Sequence, residues 1–192
     1  MKKLLIALAL SATLPAIQGC APLAVGAAAG GAVLMVDDRR TAGIYIEDEN
    51  IEWKALARVR EVTSLAHVNA TSYNRKVLIT GEAPNDAEKA KIEEAVRSVP
   101  SVREVVNEMQ VAGASSMASR GSDSLVTSNV KARMVNNGKF SVNHVKVVTE
   151  SGVVYLLGLV TQYEGDAAAE IARTTSGVTR VVKVFEYIGT GK

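Results

Sequence analysis

The chain carries one hairpin pattern twice. Val145-Lys146-Val147-Val148-Thr149 leads through Glu150-Ser151-Gly152 into Val153-Val154-Tyr155-Leu156-Leu157-Gly158-Leu159-Val160, a long β-branched and aliphatic run. Two such runs joined by a short glycine-containing turn read as a β-hairpin. The stretch from His67-Val68 to Val77-Leu78-Ile79-Thr80-Gly81 lies in register with that from His144-Val145 to Val154-Tyr155-Leu156-Leu157-Gly158. Passing over Asn85 carries the register on to Val111 against Tyr187. On the way it meets the identities Glu88/Glu164, Arg97/Arg173, Val102/Val178, Val105/Val181 and Val106/Val182. Identities that fall on strand cores and glycines mark a duplicated unit, and both copies must then reach the same fold.

In the first copy Ile51, Ala55, Val59 and Val62 recur at helical spacing, which predicts an amphipathic helix over 51–62 capped by Asn50. Strands are predicted at 67–73 and 76–82. A helix from the N-cap Asn85 to Arg97 follows, with Asp86, Glu88, Lys89, Lys91, Glu93 and Glu94 solvated and Ile92, Ala95, Val96 and Val99 against the sheet. Pro100-Ser101 ends it, and 102–111 reads as the last strand. The sole tryptophan, Trp53, lies off the core stripe and is expected to pack. Residues 113–122 have linker composition. In the second copy Ser122 or Asp123 is expected to cap a helix over 124–136. Its core stripe is Val126, Val130 and Met134, with Leu125, Ala132 and Val135 well away from it. The last strand covers 181–188.

Each copy is therefore an αββαβ unit, α+β in class, with a small three-stranded mixed sheet covered by helices. Strands 153–160 and 181–188 are apolar on both faces, which a sheet covered on one side does not require. The surplus face can pack on the first copy or on 21–46. Alternatively, part of it, with Lys131, Arg133 and Lys139, can meet a bilayer or a protein partner.

The N-terminus speaks to location. Met1-Lys2-Lys3 before Leu4-Leu5-Ile6-Ala7-Leu8-Ala9-Leu10 is a secretory signal, too short to span a membrane. It ends in Ile17-Gln18-Gly19-Cys20, which holds the chain's single cysteine. The formal charge of +2 is contained in Lys2 and Lys3, so the remainder is neutral and an electrostatic nucleic-acid binder is not indicated. His67 and His144 stand alone, with no cysteine or histidine at ligand spacing, and read as structural. The acidic residues between Asp37 and Glu49 read as a solvated linker and helix start rather than a metal site. Glu88/Glu164 and Glu94/Glu170 read as solvated helix faces. No catalytic constellation, cofactor site or metal site is expected, and the chain reads as non-enzymatic.

These features together resemble a known family. Ile17-Gln18-Gly19-Cys20 resembles the bacterial lipobox, whose cysteine is acylated. Further matching stretches are Asp38-Arg39-Arg40-Thr41-Ala42-Gly43, Lys76-Val77-Leu78-Ile79-Thr80-Gly81, Asn129-Val130-Lys131-Ala132-Arg133 and His144-Val145-Lys146-Val147-Val148-Thr149. Gly158-Leu159-Val160-Thr161 and Ser176-Gly177-Val178-Thr179-Arg180-Val181 complete the set. On them the chain is similar to tandem BON-domain lipoproteins of the outer membrane. The resemblance implies a signal peptide over 1–19, lipidation at Cys20 and an Ala/Gly-rich tether over 20–46. It places one BON domain over 47–112, a linker over 113–122 and a second domain over 123–189.

Ala21 after the cysteine implies the outer membrane's periplasmic face. The resemblance further implies a role in envelope integrity and contact of the second domain with anionic phospholipid. Carried over by position, that contact would use Leu125, Val126, Thr127, Lys131, Arg133 and Val135, with Gly158, Leu159, Val160 and Thr161 close by. Leu125 stands where the resemblance would put tryptophan. The alternative reading is a scaffold that docks a periplasmic protein, either a peptidoglycan-remodelling factor or an outer-membrane assembly factor.

Overall fold

The computed structural model describes residues 37–113 and 115–189. The signal peptide, Cys20 and residues 21–36 lie outside the described residues. The first copy comprises α1 (Ala42–Val62), β1 (His67–Tyr73), β2 (Lys76–Ala83), α2 (Asp86–Arg97), β3 (Glu104–Asn107) and β4 (Gln110–Val111). The second comprises α3 (Met117–Val135), a 3-10 turn at Val142–His144, β5 (Val145–Glu150), β6 (Val153–Val160), α4 (Gln162–Arg173) and β7 (Arg180–Tyr187). In each copy an antiparallel hairpin is followed by a helix and a strand that runs parallel to the hairpin's second member.

Among the described residues three apolar clusters hold the fold. Ile51, Ala55 and Val59 of α1 meet Val77, Ile79, Ile92 and Val96 in the first core. Val126, Val130 and Met134 of α3 meet Val154, Leu156, Val160 and Ala168 in the second, as the helical spacing predicts. The third cluster lies between the copies. Tyr73, Leu78 and Val106 of one sheet pack on Tyr155, Leu157, Val182 and Val184 of the other. The surplus apolar face of the second copy is thus spent on the first. Alternation explains the division of β6, since Val154 and Leu156 face the helices while Tyr155 and Leu157 face the other sheet.

The repeated histidine and glycine have a backbone explanation. A Cβ on Gly81 would stand 2.1 Å from the carbonyl oxygen of His67, and one on Gly158 would stand 2.4 Å from that of His144. Only glycine admits strands this close.

Several boundaries differ from expectation. α1 starts nine residues before Ile51, capped by Thr41 rather than Asn50, with the Thr41 side chain accepting from Ile44 N. Its first turns carry Asp48, which is 1% exposed and therefore no part of a solvated linker. α3 starts inside the expected linker, capped by Ser116. Asp123 is no cap, and its buried side chain has another task. The third strand of the first copy breaks at Glu108–Met109, because Met109 turns inward to 2% exposure while its carbonyl accepts from Lys89 Nζ at 2.7 Å. Trp53, expected to pack, is 70% exposed.

The two buried aspartates perform one task. Asp48 accepts from the amides of Asn74 and Arg75 at 2.8 and 2.7 Å, and Asp123 accepts from those of Ser151 and Gly152, both at 2.8 Å. Asn74, Arg75, Ser151 and Gly152 all have positive φ, so both hairpins turn through the I′ geometry that suits right-handed strand twist. Each aspartate lies three residues before the first core position of its helix, Ile51 or Val126, and fastens that helix to its own hairpin. Asp48→Ala and Asp123→Ala are each expected to destabilise the chain by about 3–5 kcal/mol, the cost of stranding buried partners of a charge. Urea unfolding at pH 7 measures this, and a loss below about 1 kcal/mol would refute the fastening role.

Candidate membrane-contact site

α3 carries most of the residues expected to touch lipid, and its core stripe orients them. Val126, Val130 and Met134 are 6%, 0% and 0% exposed. At 100° per residue the opposite side of the helix carries Leu125, Ser128, Ala132 and Val135, with Lys131 at its margin. Leu125 and Val135 are 68% and 63% exposed. Among the described residues Lys131 makes no ion pair. Asp123 is the only carboxylate on α3, and it is buried. The outward surface of this helix is therefore apolar and basic.

The other expected residues lie beneath or beside that surface. Val126 is in the core. The hydroxyl of Thr127 donates to Thr149 Oγ1 at 2.7 Å and ties α3 to β5. Arg133 is exposed, but its guanidinium donates to the Ile171 carbonyl at 2.8 Å, Thr175 Oγ1 at 2.6 Å and Thr174 Oγ1 at 2.9 Å. It thereby satisfies the C-terminal end of α4, where a cation also suits the helix dipole. Gly158 and Val160 are buried in β6, and Leu159 packs between the sheets. Thr161 caps α4 in a capping box with Glu164. The structure brings Leu125, Lys131 and Val135 to one exposed face and leaves Gly158, Leu159, Val160 and Thr161 off it.

Sequence reading missed the strap over 37–41, whose consecutive arginines hold opposite copies. Arg39 donates to both oxygens of Glu164 at 2.7 and 2.8 Å and to the Leu159 carbonyl at 2.8 Å. Glu164 is thus no solvated-face carboxylate. Arg40 pairs with Asp38 at 2.7 Å and Asp48 at 2.9 Å, its guanidinium 4.0 Å above the Tyr73 ring. Beside Arg40 a cavity of about 440 Å³ is lined by Tyr45, Lys131, Val135, Val142 and Lys146. Lys131 and Val135 thus border both the outward face and this groove. The signal for the strap was Asp37-Asp38-Arg39-Arg40, two arginines beside two aspartates, of which Asp38 is taken by Arg40 and leaves Arg39 to reach a distant carboxylate. Among the described residues no helix is long and apolar enough to cross a membrane.

Two αββαβ units joined sheet to sheet, with a strap that engages both, define a tandem α+β domain protein. The profile of the BON domain matches residues 48–113 and again 122–189, and the chain belongs to the BON-domain family. It is 40% identical over 193 aligned residues to the outer membrane lipoprotein DolP of Haemophilus influenzae, with 98% of this chain and 97% of that protein covered. It is 32% identical to a 21 kDa hemolysin of Actinobacillus pleuropneumoniae, covering 79% of each, and 26% identical to the osmotically-inducible protein Y of Escherichia coli, covering 72% of each. The chain is an outer-membrane, lipid-anchored member of its family.

The strap has a pH signature. Hydrogen bonding to Arg39, helped by Thr161 and opposed by burial, lowers the Glu164 carboxyl to about 2 from its ordinary 4.5. A carboxylate depressed in the folded state contributes stability that is complete above its unfolded value and is lost as pH falls toward the folded one. The window is therefore pH 4.5 down to about 2. Arg39→Ala is expected to cost about 1–3 kcal/mol at neutral pH and to flatten the acid slope in that window. Urea midpoints from pH 7 to pH 2 check both, and an unchanged slope would show that Arg39 does not hold Glu164.

Proposed function

We propose that this lipoprotein maintains the cell envelope from the periplasmic face of the outer membrane, anchored through an acylated Cys20, with its second BON domain binding anionic phospholipid. The supporting observation is the outward stripe of α3, where Leu125 and Val135 stand exposed on a helix whose single carboxylate is buried. Apolar side chains flanked by lysine suit the boundary between headgroups and acyl chains. Leu125 and Val135 enter the apolar layer, and Lys131 meets the headgroup phosphate. Val126, Thr127, Arg133 and Val160 serve by holding α3 in place, and Gly158, Leu159 and Thr161 belong to the sheet and to the start of α4. No catalytic step is assigned to the protein.

Trp53 favours a second contact of a different class. With Ile46 two turns earlier, 56% exposed, it forms an apolar face on α1. Exposed tryptophan is a frequent anchor at protein interfaces. A periplasmic protein concerned with peptidoglycan remodelling or outer-membrane assembly would dock there.

Residues 37–192, free of the acyl group, are expected to sediment with vesicles of anionic lipid and not with vesicles of neutral lipid. Lys131→Glu should weaken that binding by roughly thirtyfold, following about 1 kcal/mol per juxtamembrane charge doubled by reversal. Leu125→Asp should abolish it, whereas Trp53→Ala should leave it intact. Sedimentation that ignores lipid charge, or that survives Leu125→Asp, would reject the lipid reading. For the second contact, a photo-crosslinker at position 53 in cells should give one dominant protein adduct that a crosslinker at Leu125 does not, and equal patterns would reject it.

A further inference from the structure

His144 closes the 3-10 turn ahead of β5, and its backbone is held from several sides. Its amide donates to the Ser141 carbonyl at 3.0 Å. Its own carbonyl accepts from the Tyr73 hydroxyl of the first copy at 3.5 Å and lies against Gly158. The ring therefore has a fixed place, and that place is between two acids. Nε2 stands 3.7 Å from Asp37 Oδ1 on the strap, and Nδ1 stands 3.7 Å from Glu164 Oε1 in the first turn of α4. The side chain is 13% exposed, and Nδ1 is buried without a hydrogen bond.

A neutral imidazole carries one N–H and one lone pair, whereas an ionised carboxylate only accepts. In either neutral tautomer, then, one ring nitrogen turns a lone pair toward a carboxylate. Only the doubly protonated ring offers a donor to each. Both acids keep their charge in mild acid. The hydrogen bond from Ser141 holds Asp37 below its ordinary value, and that from Arg39 holds Glu164 at about 2. The charged groups facing the ring are these two carboxylates and the Arg39 guanidinium, which contacts Glu164 directly. Of the charges nearby, Asp38 and Arg40 pair with each other, Lys146 of β5 pairs with Glu52, and the Tyr73 hydroxyl is turned to the His144 carbonyl. Two negative groups against one positive leave the cluster short of one positive charge, which a proton on His144 supplies.

We propose that His144 is a pH-sensitive latch of the strap: charged, it binds Asp37 and Glu164 at once and locks residues 37–41 onto the second copy, and neutral, it lets go of one of them. Each 3.7 Å contact has to close by only about 0.9 Å to become a charge-assisted hydrogen bond of about 2.8 Å. Histidine ordinarily gains its second proton at about pH 6.5. Stability that depends on the charged ring is present below that range and is lost as pH rises through it. Glu164 contributes with the opposite sign, in full above 4.5. The strap is thus held most firmly between the two, in mild acid. Because Arg39 and Arg40 extend the strap to opposite copies, the latch tightens their union there and relaxes it at higher pH.

The test is a double-mutant cycle of His144→Gln and Asp37→Asn on the full-length chain in detergent, unfolded in urea at pH 5.5 and at pH 7.5, either side of the histidine range. Glutamine keeps a donor but takes no charge, and asparagine keeps an oxygen for Ser141 and Asn143. Coupling between the two sites should be at least about threefold in the unfolding constant at pH 5.5 and should vanish at pH 7.5. Repeating the cycle in a His67→Gln background should give the same result, which separates the latch from the other histidine. Equal coupling at both pH values would mark a structural contact and overturns the proposal, as does coupling at neither. If His144→Gln does not fold, Asp37→Asn alone decides. It should lower the urea midpoint more at pH 5.5 than at pH 7.5, and a loss that is equal or greater at pH 7.5 overturns the latch.

Discussion

The fold depends on a carboxylate holding two amides. A hairpin that turns through positive φ leaves its central N–H groups pointing inward, where the approaching first helix would bury them without partners. Asp48 and Asp123 solve this in the two copies by offering one oxygen to each amide. The helix, the turn and the register of the hairpin are then fixed at once, because moving any one of them strands a buried charge. Everything else is arranged around that junction. In the first copy the same Asp48 also accepts from Ser72 Oγ at 2.6 Å and pairs with Arg40, so the strap is fastened to it as well.

The junction leaves one face of each sheet open, and the copies close each other. Tyr155 and Leu157 would be unfavourable on a lone domain but are 1% exposed here. The first copy answers with fewer apolar residues and more polar ones, so the rim of the interface is made of bonds between copies. Lys146 reaches Glu52 at 2.7 Å, Asn74 Nδ2 donates to Glu186 at 3.0 Å, and Arg103 pairs with Glu186. The division of labour follows from this asymmetry. With its sheet face occupied, the second copy still offers an apolar surface on the outer side of α3, where Leu125 and Val135 are exposed.

The duplicated hairpins and both core stripes were legible in the sequence because each is local, written as alternation of two or spacing of three and four. Asn85 as a cap was legible for the same reason. Asp48, Asp123, Arg39 and Glu164 were not, since a charged residue reads as solvated until a distant partner is known. Trp53 was misread because a large aromatic side chain carries a strong expectation of burial, and only the helix's placement shows it uncovered. Of the expected lipid contacts, Leu125 and Val135 were set outward by period alone. Arg133 looked equally free, because the carbonyl it satisfies belongs to α4, far along the chain. His67, read as structural, meets the carboxylate of Glu82 at 3.0 Å and has Glu150 of the other repeat close by, neighbours that sequence spacing does not reveal.

The lipid contact proposed for α3 does not need to be strong. On the proposed reading an acyl anchor at Cys20 would lie seventeen residues before Asp37 in the sequence, a length that spans at most about 60 Å. With such an anchor α3 would stay near the bilayer and its encounter with lipid would become intramolecular. A tethered second contact is multiplied by its effective concentration, so an affinity too weak to recruit a free protein still sets orientation. Leucine in place of an interfacial tryptophan fits that proposed duty, since the anchor would already supply recruitment. The strap then gains a mechanical meaning. Asp37 and Arg39 bind the second copy and Arg40 binds the first, so on that reading the pull of an anchor would fall on both domains together and not on α1 alone.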